Sequence, residues 1–190
     1  DGTPFRTVPV DSASVPAVIY AGNVDAYQNL PLLLAAVEIL KRKKPDVKLL
    51  IGTAARACIH GAEIVPVHDL EGLSRFLARD AVFAVPRVSW SGYPMKILNA
   101  MAAGKAVVAC ESAAYPLAHE ETGLVVPDDN VDAYAAALLR LVEDPHLREK
   151  LGAQARHVVL ERHQPDVVAR QLETLMLEAH DRYTTRIHKA

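Results

Sequence analysis

Residues 86–109 read PRVSWSGYPMKILNAMAAGKAVVA, and this stretch decides the fold that we predict. An apolar strand ends at Pro86, and a polar loop closes on Gly92. A helix then opens near Pro94 and stops at Gly104, where a second apolar strand follows. Proline is favourable just inside a helix start because its missing N–H would have no helical partner, and glycine adopts the left-handed cap at the end. The unpaired N–H groups and the dipole of such a helix start attract anions, so the stretch predicts a phosphate-binding loop.

The rest of the chain alternates between short apolar runs and helical periodicity. Strands are predicted at residues 17–21, 47–51, 63–67, 81–86, 106–110 and 123–126. Helices are predicted at residues 30–40, 70–79, 94–104, 131–143 and 145–162, with a last one from 165 that ends in a charged tail at 181–190. Almost continuously apolar strands alternating with helices are typical of a parallel sheet covered on both faces. The fold class is therefore α/β, a Rossmann-like parallel sheet sandwiched by helices, with a helical C-terminal tail.

Composition excludes several kinds of partner and site. The formal net charge is -2 and no face is rich in lysine and arginine, so we expect no nucleic-acid partner. Cys58 and Cys110 are expected to be free, buried thiols in a reducing cytosol, and the eight histidines show no metal-ligand spacing. We therefore expect no metal. Asp128 and Asp129 precede a helix, and we interpret them as capping residues, with Asp129 or Asn130 as the cap.

Ligands of open parallel sheets bind outside the carboxyl ends of the strands. Three polar loops leave such ends here, at residues 22–29, 52–57 and 87–94. None of them contains G-x-G-x-x-G or the P-loop G-K-[ST] pattern, so NAD and ATP are both disfavoured as ligands.

The order of these motifs carries a resemblance. Residues 86–109 are followed by EETGLVVP at 120–127, and a strand with a Gly22 loop and a leucine-rich helix precedes them. This arrangement resembles the C-terminal, donor-binding half of GT-B glycosyltransferases, in the family-4-like retaining group known as glycosyl transferases group 1. The resemblance implies a linker from a missing N-terminal domain at residues 1–16, a nucleotide-sugar-binding Rossmann-like domain at 17–165, and a C-terminal helix and tail at 166–190.

The function that the resemblance implies is transfer of a sugar from a nucleotide-diphosphate sugar to an acceptor hydroxyl, with retention of configuration. The nucleotide sugar is the donor substrate, and no cofactor is expected. The acceptor, a glycan, lipid or small molecule, would bind the missing N-terminal acceptor domain, so the fragment alone is expected to be inactive. We expect a cytoplasmic protein, with any peripheral membrane contact made through the missing domain.

The resemblance also implies a set of site residues, although no catalytic residue can be assigned from it. Donor and phosphate contacts are expected at Gly22, Asn23, Tyr27, Gln28, Ser91, Gly92, Tyr93, Pro94, Met95 and Lys96, and ribose contact at Asn99. The family usually has glutamates at the positions of Ser91 and Asn99. It often has an arginine and a lysine at the positions of Asn23 and Gln28, so four charged positions are neutral here.

Two accounts of these neutral residues stay open. In one, Tyr27, Gln28 and Lys96 take over the donor contacts, with Lys96 reaching a phosphate as a point charge. In the other, the site has lost the charged residues needed for sugar transfer, and the chain is a non-catalytic nucleotide-binding or interaction module.

An epimerase of similar architecture is a further hypothesis, although its acidic and histidine groups cannot be identified. Trp90 and Tyr93 either stack on the ligand or pack the loop onto the sheet.

Overall fold

A six-stranded parallel sheet forms the centre of the molecule. The computed structural model describes residue 5, residues 16–89 and residues 92–187. The strands are β1 (Ala17–Ala21), β2 (Leu49–Thr53), β3 (Glu63–Pro66), β4 (Ala81–Val85), β5 (Val107–Cys110) and β6 (Leu124–Val126). All neighbouring strands pair in parallel, in the order β3-β2-β1-β4-β5-β6.

Helices cover both faces of this sheet, as the apolar strands predict. They are α1 (Leu30–Lys43), α2 (Leu70–Leu77), α3 (Met95–Ala102), α4 (Val131–Glu143), α5 (Pro145–Arg162) and α6 (Pro165–Ile187). The side chains of β1 point alternately into the two core layers, because successive strand residues face opposite sides of the sheet. Val18 and Tyr20 pack with α1 and α4, whereas Ile19 and Ala21 pack with α2, α3 and α5. The predicted α/β sandwich is therefore confirmed.

The helix boundaries follow local capping chemistry. Asp69, Asn130 and Asp144 each accept a hydrogen bond from the backbone N–H three residues on, which caps α2, α4 and α5 respectively. Asn130 rather than Asp129 therefore caps α4. Gly104, with φ of +69°, ends α3 in the left-handed conformation that the sequence predicts.

Some sequence predictions need correction. Pro94 is the N-cap residue of α3 and lies just outside the helix rather than just inside it. Helix α6 continues to Ile187, through most of the tail that was predicted to follow it. Cys110 is buried as predicted, but Cys58 is exposed because it lies in the long connection between β2 and β3. Apart from Phe5 and Pro16, the predicted linker lies outside the described residues, and the domain boundaries stay predictions.

The direction in which successive strands are added to the sheet reverses between β1 and β4. From β1 the chain moves outward through β2 and β3, and it then returns to β4 and moves the other way through β5 and β6. The loops that follow β1 and β4 therefore diverge above the sheet and leave a crevice between them. This crevice is where a ligand of such a fold is expected.

Helix α5 lies directly against the turn between α3 and β5. Gly152 is buried in α5, and a Cβ atom at this position would overlap the carbonyl group of Gly104. The contact is between two backbones, so no flexible side chain can move away to make room. Gly152 therefore sets the distance between α5 and the end of α3. The start of the same helix follows the predicted phosphate loop.

We expect Gly152→Ala to lower the free energy of unfolding by about 2 kcal/mol, because overpacking against backbone outweighs the better helix propensity of alanine. Chemical denaturation of the chain measures the change. Gln154→Ala, at an exposed position of the same helix, is the matched control and should stay within about 0.5 kcal/mol of the unchanged chain. Equal stability of the two variants would contradict the predicted backbone contact.

Candidate functional site

A cleft of about 520 Å³ opens at the carboxyl ends of β1, β2 and β4. One side is polar and includes Lys96 and Asn99 from α3, and the opposite side is formed by the β2 end and α2. Its lining residues are Ala21, Gly22, Asn23, Gly52, Thr53, Ala54, Ala55, Val67, His68, Asp69, Leu70, Leu73, Leu77, Phe83, Lys96 and Asn99. The cleft therefore lies where the strand order predicts a ligand.

A smaller pocket of about 50 Å³ lies beneath the loop that follows β4. Gly92 and Pro94 line it from the loop, Gln28 from the β1 loop, and Lys96 from the first turn of α3. Lys96 thus borders both the cleft and the smaller pocket. The two cavities together bring most of the predicted donor-site residues to one region.

The predicted phosphate loop offers two N–H groups fewer than its length suggests. Gly92 has a φ of +65°, which favours glycine, and Pro94 has no N–H to donate. The N–H of Met95 donates to the Tyr93 carbonyl at 2.8 Å. Within the described part of the chain, the N–H groups of Lys96 and Ile97 have no backbone or side-chain acceptor, so they are the donors that α3 offers at its start.

The β1 loop is held by hydrogen bonds among the side chains of Asn23, Asp25, Tyr27 and Gln28. Gln28 is buried, and its amide nitrogen donates to the Asn23 side-chain oxygen at 2.7 Å. The Asn23 side chain in turn donates to the Asp25 carboxylate and, at 2.7 Å, to the Tyr27 hydroxyl. Asn23 and Gln28, both predicted donor contacts, are thus joined by one hydrogen bond. Their other polar groups bond to Asp25, Tyr27 and Lys96.

Lys96 connects this loop to α3. Its ammonium nitrogen donates to the Tyr20 hydroxyl and to the Gln28 side-chain oxygen, both at 2.7 Å. The same nitrogen lies 4.0 Å from the centroid of the Tyr20 ring, which adds a cation–π contact. Burial, and secondarily the positive charge of Arg87, lowers the pKa of Lys96 to about 7. Burial also raises the pKa of Tyr20, so this hydroxyl is neutral at physiological pH.

The remaining predicted residues take different positions. Asn99 lines the cleft one turn after Lys96, and its contact with the ribose stays a prediction. Met95 is exposed, and Tyr93 is also exposed with its hydroxyl 3.0 Å from Nδ1 of His163, which ends α5. Tyr93 therefore packs the loop against the C-terminal helices rather than against the sheet. Ser91 and Trp90 lie outside the described residues.

Several site residues were missed by sequence reasoning. Tyr20 was assigned only to the core strand, yet its hydroxyl accepts a hydrogen bond from Lys96. Leu70 and Leu73 on α2 also line the cleft. Leu73 packs against the core as well, whereas Leu70 is 54% exposed. Two leucines at helical spacing are alike in sequence, so no pattern could have distinguished them.

The acidic pair before α4 has structural partners. Asp128 accepts hydrogen bonds from the backbone and hydroxyl of Ser112, and Asp129 accepts one from the Asn29 side chain at 3.0 Å. Asn29 also donates to the Pro86 carbonyl at 3.3 Å, which fixes the β1 loop against the end of β4.

Within the described ranges, no helix is long and apolar enough to cross a bilayer.

Sequence comparisons identify the family of this chain. Residues 15–144 match the sequence model of the family described as glycosyl transferases group 1. The phosphatidyl-myo-inositol mannosyltransferase of Mycolicibacterium smegmatis is 32% identical over 168 residues, which are 82% of this chain and 43% of that protein. The chain thus spans less than half the length of this curated relative.

Solved structures show the same fold at lower identity. The C-terminal domain of the glycosyl transferase group 1 family protein LpcC from Francisella tularensis superposes with a TM-score of 0.69 and 17% identity, over 83% of this chain and 89% of that one. Anabaena HepE in complex with UDP-glucose superposes with a TM-score of 0.73 and 15% identity, over 87% of this chain and 50% of that one. The chain belongs to the glycosyl transferases group 1 family and has the fold of its C-terminal, GT-B domain.

Proposed function

We propose that this chain is the donor-binding half of a glycosyltransferase that moves a sugar from a nucleotide-diphosphate sugar to an acceptor hydroxyl, with retention of configuration. The observation that carries the proposal is the cleft between the β1 and β4 loops, which opens beside the start of α3 in a chain of this family. The nucleoside would occupy the 520 Å³ cleft. The diphosphate would lie at the start of α3, near the smaller pocket.

The names of related proteins support this assignment. The mycobacterial relative is a mannosyltransferase, and HepE is described in complex with UDP-glucose. Both names fit a nucleotide sugar as the donor, with no separate cofactor. A cytoplasmic location, with any membrane contact made through the missing half, is part of this proposal.

Catalysis in such a site depends on stabilising the charge of the departing nucleoside diphosphate. The N–H groups of Lys96 and Ile97 would donate to its oxygens, and Gly22 and Gly92 would let the ligand approach the two loops closely. Asn99 would hydrogen-bond the ribose hydroxyls through its neutral amide. Ser91, Tyr27 and Tyr93 stay predicted donor contacts.

The acceptor half is proposed to cover the exposed apolar side of α6. Val168, Leu172, Leu175 and Met176 recur at helical spacing there and are between 40% and 64% exposed. An apolar stripe of this kind on an otherwise polar helix marks a surface for another protein domain. The missing N-terminal half is the occupant we propose, since the chain matches only 43% of the mannosyltransferase.

A second function is supported by the β1 loop, in which residues 22–29 include no cation. Asn23 and Gln28 are neutral, and the Asp25 carboxylate adds a negative charge, so the loop itself does not attract a diphosphate. This is the pattern expected of a nucleotide-binding or interaction module that has lost transfer activity. The two functions differ in whether the complete protein turns over a nucleotide sugar.

We expect the chain to bind a nucleoside diphosphate, and Gly92→Trp to weaken that binding at least tenfold by filling the phosphate loop. Calorimetric titration with UDP, GDP and ADP measures the affinity. Gly61→Trp is the matched control, because Gly61 also has a positive φ and open space around it but precedes the edge strand β3, whereas Gly92 follows the central strand β4. Failure of all three nucleotides to bind would favour the interaction module.

The purified chain alone is expected to transfer no sugar, because the groups that bind and position the acceptor hydroxyl would come from the missing half. Radiolabelled UDP-glucose, GDP-mannose and ADP-glucose, incubated with the chain and candidate acceptors, provide the assay. Robust transfer by the 190-residue chain would contradict the division of labour proposed here.

A further inference from the structure

The Lys96 ammonium lies where the nucleoside cleft meets the smaller pocket under the β4 loop. We propose that Lys96 is the cation that binds the donor's diphosphate in this chain, and that Tyr20 is its positioning residue. The inference rests on the proposed donor-binding function and assigns the charge that the β1 loop lacks.

The geometry leaves the ammonium one direction toward a ligand. An ammonium has three N–H groups, and two of those on Lys96 point to Tyr20 and Gln28, each at 2.7 Å. No third acceptor is found among the described residues, and both cavities border this side chain. A phosphate oxygen in the crevice can take the third N–H without displacing either of the other partners.

Gly22 keeps the space around this ammonium open. A Cβ atom at Gly22 would lie 2.9 Å from both Cε and Nζ of Lys96 and 3.3 Å from the Tyr20 hydroxyl. The φ of Gly22 is +144°, a backbone conformation that side chains of L-residues rarely adopt. A glycine at the end of β1 is therefore required both by the turn and by the lysine that packs over it.

The Tyr20 hydroxyl is oriented to receive the lysine. It donates its own hydrogen to the Asn23 carbonyl, so its lone pairs face Lys96. Gln28 is oriented in the same way, because its nitrogen donates to Asn23 and its oxygen remains for Lys96. The network that occupies the β1 loop thus presents acceptors to Lys96 and holds the charge at the crevice.

The protonation of Lys96 should change when an anion binds. Its surroundings include the Tyr20 and Tyr27 hydroxyls, the Asp25 carboxylate and the Arg87 guanidinium, and His68 lines the cleft opposite. Since burial lowers the pKa of Lys96 to about 7, much of the side chain is neutral just above neutral pH. A diphosphate beside it favours the charged form, so the site should take up a proton on binding.

The first test compares two lysine variants. Lys96→Met keeps most of the length of the side chain but removes its charge. The matched control Lys48→Met does the same at an exposed position just before β2, at the amino end of the strands, away from the cleft at their carboxyl ends. Calorimetry with UDP-glucose, GDP-mannose and ADP-glucose should show at least tenfold weaker binding for Lys96→Met at pH 6.5, since a hydrogen bond to a charged group is lost. Uridine, guanosine and adenosine, which lack phosphate, should bind both variants and the unchanged chain equally.

The second test follows pH. The diphosphate of a nucleotide sugar is a diester whose charge is constant between pH 6 and 8, so changes in affinity report on the protein. We expect affinity to fall about tenfold from pH 6 to pH 8 in the unchanged chain, as a group of pKa about 7 loses its proton. The Lys96→Met variant should show no such fall. In Tyr20→Phe the midpoint of this fall in affinity should move to lower pH, because the lost hydrogen bond had favoured the charged lysine. A purely structural role of Tyr20 would weaken binding equally at every pH.

The outcomes separate this inference from the function on which it rests. If the unchanged chain binds none of the three nucleotide sugars, both are overturned. If it binds one of them and Lys96→Met binds equally well, with the same pH dependence, only the role of Lys96 is overturned. Circular dichroism of each variant verifies folding, and Lys96→Arg, which keeps the charge, should retain affinity at pH 8 if Lys96→Met proves unstable.

Discussion

The parallel pairing of β1 with β4 is the constraint on which the candidate site depends. Val18 lies beside Val82 and Ile19 beside Phe83, although more than 60 residues separate them in sequence. This pairing brings the carboxyl ends of two strands together while their connections lead in opposite directions. Three features of the site depend on this pairing: the cleft, the smaller pocket and the contact of Lys96 with Tyr20. Each of them joins β1 or its loop to the β4 loop or to α3.

The strands and most helix limits could be predicted because they depend on local chemistry. Apolar runs, cap residues such as Asn130 and the glycine at 104 each act within a few neighbours. Contacts across the fold could not be predicted, because no local pattern encodes them. The Lys96 hydrogen bond to Tyr20 spans 76 residues, and the need for glycine at 152 arises from a turn 48 positions earlier. The exposure of Leu70 at the cleft likewise depends on which elements surround α2.

The distribution of charge in the candidate site differs from the one that the family resemblance implies. The expected cationic positions on the β1 loop are neutral, and the loop is instead held by hydrogen bonds between Asn23, Tyr27 and Gln28. That network points its free acceptors at Lys96, which comes from a different element. In the account proposed above, the positive charge of the crevice is therefore carried by α3 rather than by the β1 loop. Sequence comparison by position alone does not reveal this arrangement, because Lys96 and the β1 loop are far apart in sequence.

The most direct test of the donor site is a map of where a nucleotide sugar touches the chain. Amide chemical shifts of the isotope-labelled protein, followed during titration with UDP-glucose, GDP-mannose or ADP-glucose, provide this map without requiring activity. The account predicts that the largest changes fall at Gly22, Lys96 and Asn99, with little change at Gly61, which precedes the edge strand β3. Saturable changes centred away from the β1 and β4 loops, or none with any of the three ligands, would contradict it.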